Sequence, residues 1–308
     1  MGPTVPGWVG RLELASGVLG RAPMQALLAL LPLEQTFATR PWRAVLAFLV
    51  VVLASFLPAA VAPTGGYTWS LLAFAVPSLV MARALSVRGV LSSVERPLWR
   101  AWALLVPMGV ALNFAFADDF FVYPDPKAIA GLTVPALDLG SVDRAHPIPL
   151  EEFAFYGLGF LAMLLGYVWC DAVLWPRSTK REGGAPGWLE GATAPLLLVG
   201  AGVMLADGTP SYWSYLSLVP VPVTLVGWPL VRGRLNVPAV SVTTAMVVVA
   251  SVLWEAVLAV PRGWWGYQAD AMLGVEALGL PIEALIVWGL APVTTAVCFE
   301  LLRLKERA

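Results

Sequence analysis

"PLEEFAFYGLGFLAMLLGYVWCDAVLW", Pro149 to Trp175, sets two adjacent carboxylates, Glu151 and Glu152, just ahead of a long apolar run. An apolar run of about 20 residues spans a bilayer core of about 30 Å. Runs of this kind recur along the whole chain. Backbone inside lipid must satisfy its own polar groups, which leaves helices and closed barrels. The runs are continuous rather than alternating, and that selects helices. The expected fold class is all-α, a polytopic transmembrane helix bundle.

Composition points the same way. Of 308 residues, 59% are hydrophobic and 13% charged, against about 25% charged in a soluble domain. Mean hydropathy is +0.78. A net charge of −1 offers no basic surface for nucleic acid. Cys170 and Cys298 both fall in apolar segments and read as structural side chains, not a disulfide framework. The single histidine, His146, argues against His-cluster di-iron, haem and zinc sites and against a His-assisted serine hydrolase. No glycine-rich loop follows a strand, so dinucleotide binding is unsupported. Neither a metal nor a cofactor is expected. The N-terminus lacks a signal-peptide pattern. Its first strongly apolar stretch, Met24 to Leu33, is short, follows Arg11 and Arg21, and reads as an interfacial or re-entrant helix.

Eight spans are expected, at about 42–62, 67–83, 98–117, 152–175, 188–206, 212–231, 238–260 and 281–302. With the N-terminus in the cytoplasm, sixteen basic residues fall inside and three, Lys127, Arg144 and Arg262, outside. That split follows the positive-inside rule and puts both termini in the cytoplasm. A bacterial inner membrane is the expected location. "PRSTKREGGAPG", Pro176 to Gly187, is polar and rich in Gly and Pro, the marks of a linker. The domain plan is therefore 1–41 as a cytoplasmic or interfacial segment, 42–175 as a first transmembrane repeat, 176–187 as the linker, and 188–308 as a second repeat.

The two halves rhyme. Pro149-Leu150-Glu151 matches Pro281-Ile282-Glu283, displaced by 132 residues. Upstream of each lies an aromatic cluster ending in Tyr: Phe120, Phe121 and Tyr123 in one half, Trp264, Trp265 and Tyr267 in the other. Further upstream each half has a polar residue within an apolar helix, Asn113 and Glu255. Taken singly, these features have plainer readings. Pro is favoured at a helix start, Glu in the first turn complements the helix dipole, and aromatics form interfacial belts. Glu255 resists that treatment, because an ionised acid well inside a span costs at least ~2.5 kcal/mol. Three features repeated in one order also argue for a common role.

Burial disfavours the charged form of a carboxyl group, and a protonated carboxylic acid can donate its proton. Aromatic faces stabilise cations. An acid beside an aromatic wall thus suits alkene protonation and carbocation chemistry, on a substrate that enters from lipid.

The segment from Trp254 to Glu283, with "WE", "GWWGY" and "LPIE" in that order, resembles the membrane-integral carotenoid (lycopene) cyclase family. This is the non-flavin type, heterodimeric or fused, with two Pro-x-Glu-(Glu) repeats. "PLEEFAFY" at Pro149 to Tyr156 keeps the double-acid form. The resemblance covers roughly 113–165 and 250–295. It implies that a polyene end is protonated, that the neighbouring alkene closes a six-membered ring, and that proton loss ends the reaction without net redox change. It implies Glu151, Glu152, Glu255 and Glu283 as catalytic acids. Asn113, Tyr123, Phe153, Tyr156, Trp254, Trp264, Trp265 and Tyr267 are implied as substrate-binding residues. The implied partners are a lipophilic polyene or isoprenoid from the bilayer and other carotenoid-biosynthetic enzymes. The chain departs from the pattern at Ala284, where a second acid would stand, and at Asn113, where an upstream acid would align. Glu151 and Glu255 are expected to be the most sensitive acids, and Glu152 to matter less if its side chain points away, because helix neighbours do not share a face. The alternatives are ring formation or isomerisation of another isoprenoid lipid, and a transporter with intramembrane acids. Against transport, the spans carry few polar residues that could line an aqueous path.

Overall fold

The computed structural model describes residues 41–135, 147–176, 212–213, 216 and 220–305. The chain divides into two units, 1–46 and 47–308, and both repeats fall almost wholly in the second, to which the rest of this description applies. The linker at 177–187, the span at 188–206, His146 and Met24 to Leu33 lie outside the described residues.

The fold is mostly helical. In chain order the helices are α1 (Pro41–Val61), α2 (Gly66–Ser70), α3 (Leu72–Val87), α4 (Val90–Phe120), α5 (Leu150–Trp169), α6 (Pro220–Val231), α7 (Val237–Val252) and α8 (Ile282–Lys305). Among the described residues four helical stretches are long and apolar enough to cross a membrane: Gly66–Val87, Leu150–Leu174, Val237–Ala259 and Ile282–Lys305. They make this a helical membrane protein by length and composition. Four is fewer than the eight expected. The apolar part of α1, Val45–Val61, is shorter than these. α4 runs 31 residues but carries charge at both ends. The span expected at 212–231 is described as helix over Pro220–Val231.

Local sequence explains the boundaries. Asn236 caps α7, its side chain accepting from the Ala239 N–H at 3.3 Å, with proline in the first turn. Pro149, at φ −59°, leads into α5. Arg303 and Lys305 end α8, where positive charge complements the helix dipole. Two helices finish in a π turn, Cys170–Leu174 after α5 and Leu253–Ala259 after α7. Their widened bonds are visible in Trp175 N to Cys170 O (2.9 Å) and Val260 N to Glu255 O (3.1 Å). Single π turns inside α-helices occur frequently at functional sites.

The two Pro-x-Glu segments have like surroundings in space. α5 packs against α3 and α4 as α8 packs against α6 and α7, and α5 packs on α8. Each Pro-x-Glu helix is entered through a two-residue antiparallel pair. In the first half β2 (Thr133–Val134) pairs with β3 (Ile148–Pro149); in the second β5 (Glu276–Ala277) pairs with β6 (Leu280–Pro281). The hydrogen bond Leu150 N to Leu132 O (2.9 Å) recurs as Ile282 N to Val275 O (2.9 Å). A third pair joins the halves: β1 (Phe121–Val122) lies antiparallel to β4 (Gly266–Tyr267), with Phe121 opposite Tyr267. The two aromatic loops therefore sit at the same end of the bundle. At the ends where α5 and α8 finish, Tyr167 donates to Glu300 (2.9 Å), Arg303 pairs with Asp171 (3.5 Å), and Asn236 donates to Asp171 (2.8 Å). The halves are thus clamped at both ends.

Candidate functional site

Helical periodicity decides which acid of the double motif faces inward. Glu152, Phe155, Tyr156, Gly159, Phe160 and Met163 recur at the 3.6-residue repeat and form one face of α5. That face walls a cavity with about 990 Å³ of space not filled by atoms, its open mouth included. α8 supplies the facing wall with Val287, Trp288, Ala291 and Thr294. The π turn after α7 contributes Trp254 and Glu255, and the paired loops contribute Phe121, Trp265 and Tyr267. Leu105 and Met108 of α4, with Tyr212 and Leu216, complete it.

Two carboxyl groups line this apolar space, Glu152 at 6% and Glu255 at 1% exposure. Glu255 is held at both oxygens. Trp288 Nε1 donates to Oε1 at 2.7 Å, and Tyr267 donates its hydroxyl to Oε2 at 3.0 Å. A Trp N–H can only donate, so Oε1 is fixed as an acceptor and any proton on Glu255 belongs on Oε2, beside Tyr267. Burial, and then the neighbouring Glu255, push the Tyr267 phenol well above its ordinary value, so this residue stays a neutral donor or acceptor. Glu152 accepts from the buried hydroxyl of Tyr67, and Tyr123 stands beside this pair. Each cavity carboxyl is thus held by a tyrosine.

Trp254 is the centre of the aromatic wall. It stacks on Phe155 (5.2 Å between centroids), meets Phe74 edge-on (5.4 Å) and touches Trp265 (5.5 Å) and Trp288 (6.3 Å). Its indole N–H donates to Ser70 Oγ at 2.9 Å, and Ser70 donates to the Tyr67 carbonyl at 2.6 Å. The ring is therefore fixed in orientation by hydrogen bonds as well as by packing.

The other two candidate acids go elsewhere, and by the same rule in each half. Glu151 Oε1 accepts from Thr68 Oγ1 (2.5 Å) and from the Ala130 amide (2.6 Å). Glu283 Oε1 accepts from the Leu273 amide (2.6 Å). Both are buried, and neither lines the cavity. They tie the incoming loop to the helix start. This corrects the expectation for the double motif: Glu152 faces the cavity and Glu151 faces the loop. One residue along a helix turns a side chain by about 100°, and the strand pair before α5 sets which of the two turns inward. α5 and α8 do pack together, but the cavity they share is not lined by Glu151 and Glu283.

Of the aromatic candidates, Tyr156, Trp254, Trp265 and Tyr267 line the cavity, whereas Tyr123, Phe153 and Trp264 do not. Phe153 packs on Phe114 at 4.8 Å. Trp264 fills the space over Gly66, where a Cβ would come within 2.4 Å of its ring, and Arg262 sits 5.6 Å above it. Asn113 is buried at 1% exposure and lies outside the cavity lining, and its side-chain oxygen and nitrogen have no hydrogen-bond partner among the described residues.

Trp288, Phe155 and Tyr67 were not legible as site residues from motifs. For the first two the signal was available. Adding the displacement of 132 residues to Phe155, Tyr156 and Gly159 gives Val287, Trp288 and Ala291, and all six line the cavity. The same displacement takes Glu152 to Ala284 and sets Tyr123 opposite Glu255, while Asn113, matched to Glu255 by the order of features, stands ten residues further upstream. The cavity is lined by two acids, Glu152 from the first half and Glu255 from the second. Among the described residues no group of three or more His, Cys, Asp or Glu is placed to hold a metal ion. The chain matches no family model, no curated protein and no solved structure.

Proposed function

We propose that this chain is a membrane-integral carotenoid cyclase that closes a ring at the end of a polyene such as lycopene. The observation that carries the proposal is the pairing of Glu152 and Glu255 in one apolar, aromatic-walled cavity where the two halves meet. The resemblance of "PLEEFAFY" and of the Trp254 to Glu283 segment to that family adds the substrate class.

The chemistry needs an acid, a cation-stabilising wall and a base. A carboxylic acid of the pair transfers its proton to the terminal double bond, forming a C–H bond and a tertiary carbocation. The π electrons of the neighbouring double bond attack that carbon, which forms the ring C–C bond and moves the charge onto the ring. A carboxylate takes a proton from the adjacent carbon, which leaves a ring double bond. One proton enters and one leaves, so the product is an isomer of the substrate. The faces of Trp254, Trp288 and Phe155 supply the electron density that stabilises the cation. Tyr267 and Tyr67 hold the two carboxyl groups in place as protons move. In this reading Glu151 and Glu283 are positioning residues, and both aromatic loops face away from the cytoplasm of a bacterial inner membrane.

The test is expression in cells that accumulate lycopene, followed by pigment analysis. Conversion of red pigment to yellow-orange ring-bearing products of the same mass supports the assignment. Unchanged lycopene, with the protein present in the membrane, overturns it.

A further inference from the structure

A second, smaller cavity lies between α1, α3, α5 and α7, with about 450 Å³ of space not filled by atoms, its open mouth included. Gly159 and Met163 of α5 line both cavities. At Gly159 the wall is open, since a Cβ added there would meet no atom within 4 Å. Met163 is the adjacent partition, an unbranched side chain with three rotatable bonds. The second cavity is walled almost wholly by apolar side chains, including Phe74, Met81 and Ala250. Along α5 the two together run from Glu152 to Gly166, about 21 Å at the rise of an α-helix. That is far longer than a six-membered ring needs.

We infer that the two cavities form one tunnel, in which the acid-lined part takes the reacting end of a linear isoprenoid hydrocarbon and the second part takes its unreacted chain. The inference rests on the proposed cyclase reading for the direction of the substrate. Its physical basis is independent of that reading: a shared wall, an open glycine at the junction, and a movable methionine beside it. The tunnel selects for chain length, because a short isoprenoid leaves the second cavity empty while a long one buries its chain there. It also fixes how far the reacting end advances toward Glu152 and Glu255.

The experiment counts bound polyene without turnover. The Glu255→Gln variant is produced in lycopene-accumulating cells and purified, and retained pigment is measured by visible absorbance per mole of protein. On that background Gly159→Ala is expected to retain pigment at the parent's level, because its Cβ has room. Gly159→Leu obstructs the junction, and Ala250→Leu narrows the second cavity without touching the first. Each is expected to lower retained polyene about tenfold or more through overpacking. If Ala250→Leu, folded and membrane-inserted, retains pigment like its parent, the tunnel is wrong even if Gly159→Leu fails to fold. If the Glu255→Gln parent retains no polyene, the tunnel is likewise wrong. If retention shows the expected pattern but the unmodified chain leaves lycopene uncyclised, the tunnel stands and the cyclase reading falls.

Discussion

Glu255→Gln separates chemistry from architecture at the most deeply placed acid. The substitution preserves shape, and the surrounding donors tolerate it. The amide oxygen can still accept from Trp288 Nε1, now 2.7 Å from Glu255 Oε1, and the new amide N–H₂ can donate to the Tyr267 hydroxyl, now 3.0 Å from Oε2. Tyr267 then accepts where it donated, and its own O–H loses this acceptor, so one donor is affected where the Ala variant affects two. Two hydrogen bonds are kept, so the change in stability should stay within about 1–2 kcal/mol. Glu255→Ala differs sharply. It strands the Trp288 N–H and the Tyr267 O–H in an apolar cavity, at about 1–3 kcal/mol for each unsatisfied group. The Gln variant removes the exchangeable proton and the counter-charge to the cation. Loss of general acid–base catalysis typically costs about 10²–10⁴ in rate, or roughly 3–5 kcal/mol of barrier. The assay is ring-bearing product formed per unit of membrane-inserted protein, read beside a thermal unfolding curve. Near-normal turnover by Glu255→Gln would refute the assignment of this carboxyl to catalysis. A fall in activity matched by an equal fall in folded protein would refute the claim that its hydrogen bonds survive.

Glu152→Gln should lose activity on the same scale, whereas Glu151→Gln should not, a contrast read in the same product assay. Glu151→Ala and Glu283→Ala should each lower stability by about 1–3 kcal/mol by leaving loop donors unpaired, with activity per folded molecule near normal. Hydrogen exchange at Ala130 and Leu273, whose amides those carboxylates accept, should quicken in the matching variant. Gly66→Ala should destabilise by about 1–3 kcal/mol, since its Cβ would lie 2.4 Å from the Trp264 ring; an unchanged unfolding midpoint would count against the packing described. Lys127→Cys and Leu278→Cys, both at exposed positions, should react with an impermeant thiol reagent from the non-cytoplasmic side. The native Cys170 and Cys298 are buried and should stay silent. Labelling of either introduced cysteine from the cytoplasm alone would invert the topology.

Much of this architecture was legible because lipid leaves the backbone few choices. Continuous apolar runs must be helices, and the start of α5 at Leu150 and of α8 at Ile282 follows directly after the two prolines. The internal repeat was equally legible, from Pro-x-Glu and from the aromatic clusters. In the structure it reappears as two helix entries with the same strand pair and the same backbone hydrogen bond. The number of crossings was less legible: among the described residues four helical stretches are long and apolar enough to cross a membrane, and the span expected at 188–206 lies outside those residues. Asp171 and Arg303 pair across the halves, and neither stood out, because each lies near the end of an apolar run where charge is unremarkable.

Sequence by itself determined the helical class of the protein and the two Pro-x-Glu helix starts, and it named the candidate acids. Periodicity alone could not orient that list. Glu151 and Glu152 are adjacent and chemically identical, and either could face inward until the rotation of α5 is set. That rotation is set by contacts distant in sequence, namely the pairing of Pro149 with Thr133 and the hold of Thr68 and the Ala130 amide on Glu151. Likewise Glu255 gains its partners from Trp288 on another helix and Tyr267 on a loop paired with the other half. Which carboxyl enters the cavity is therefore a property of tertiary packing, because side-chain direction depends on helix rotation and loop pairing rather than on residue type.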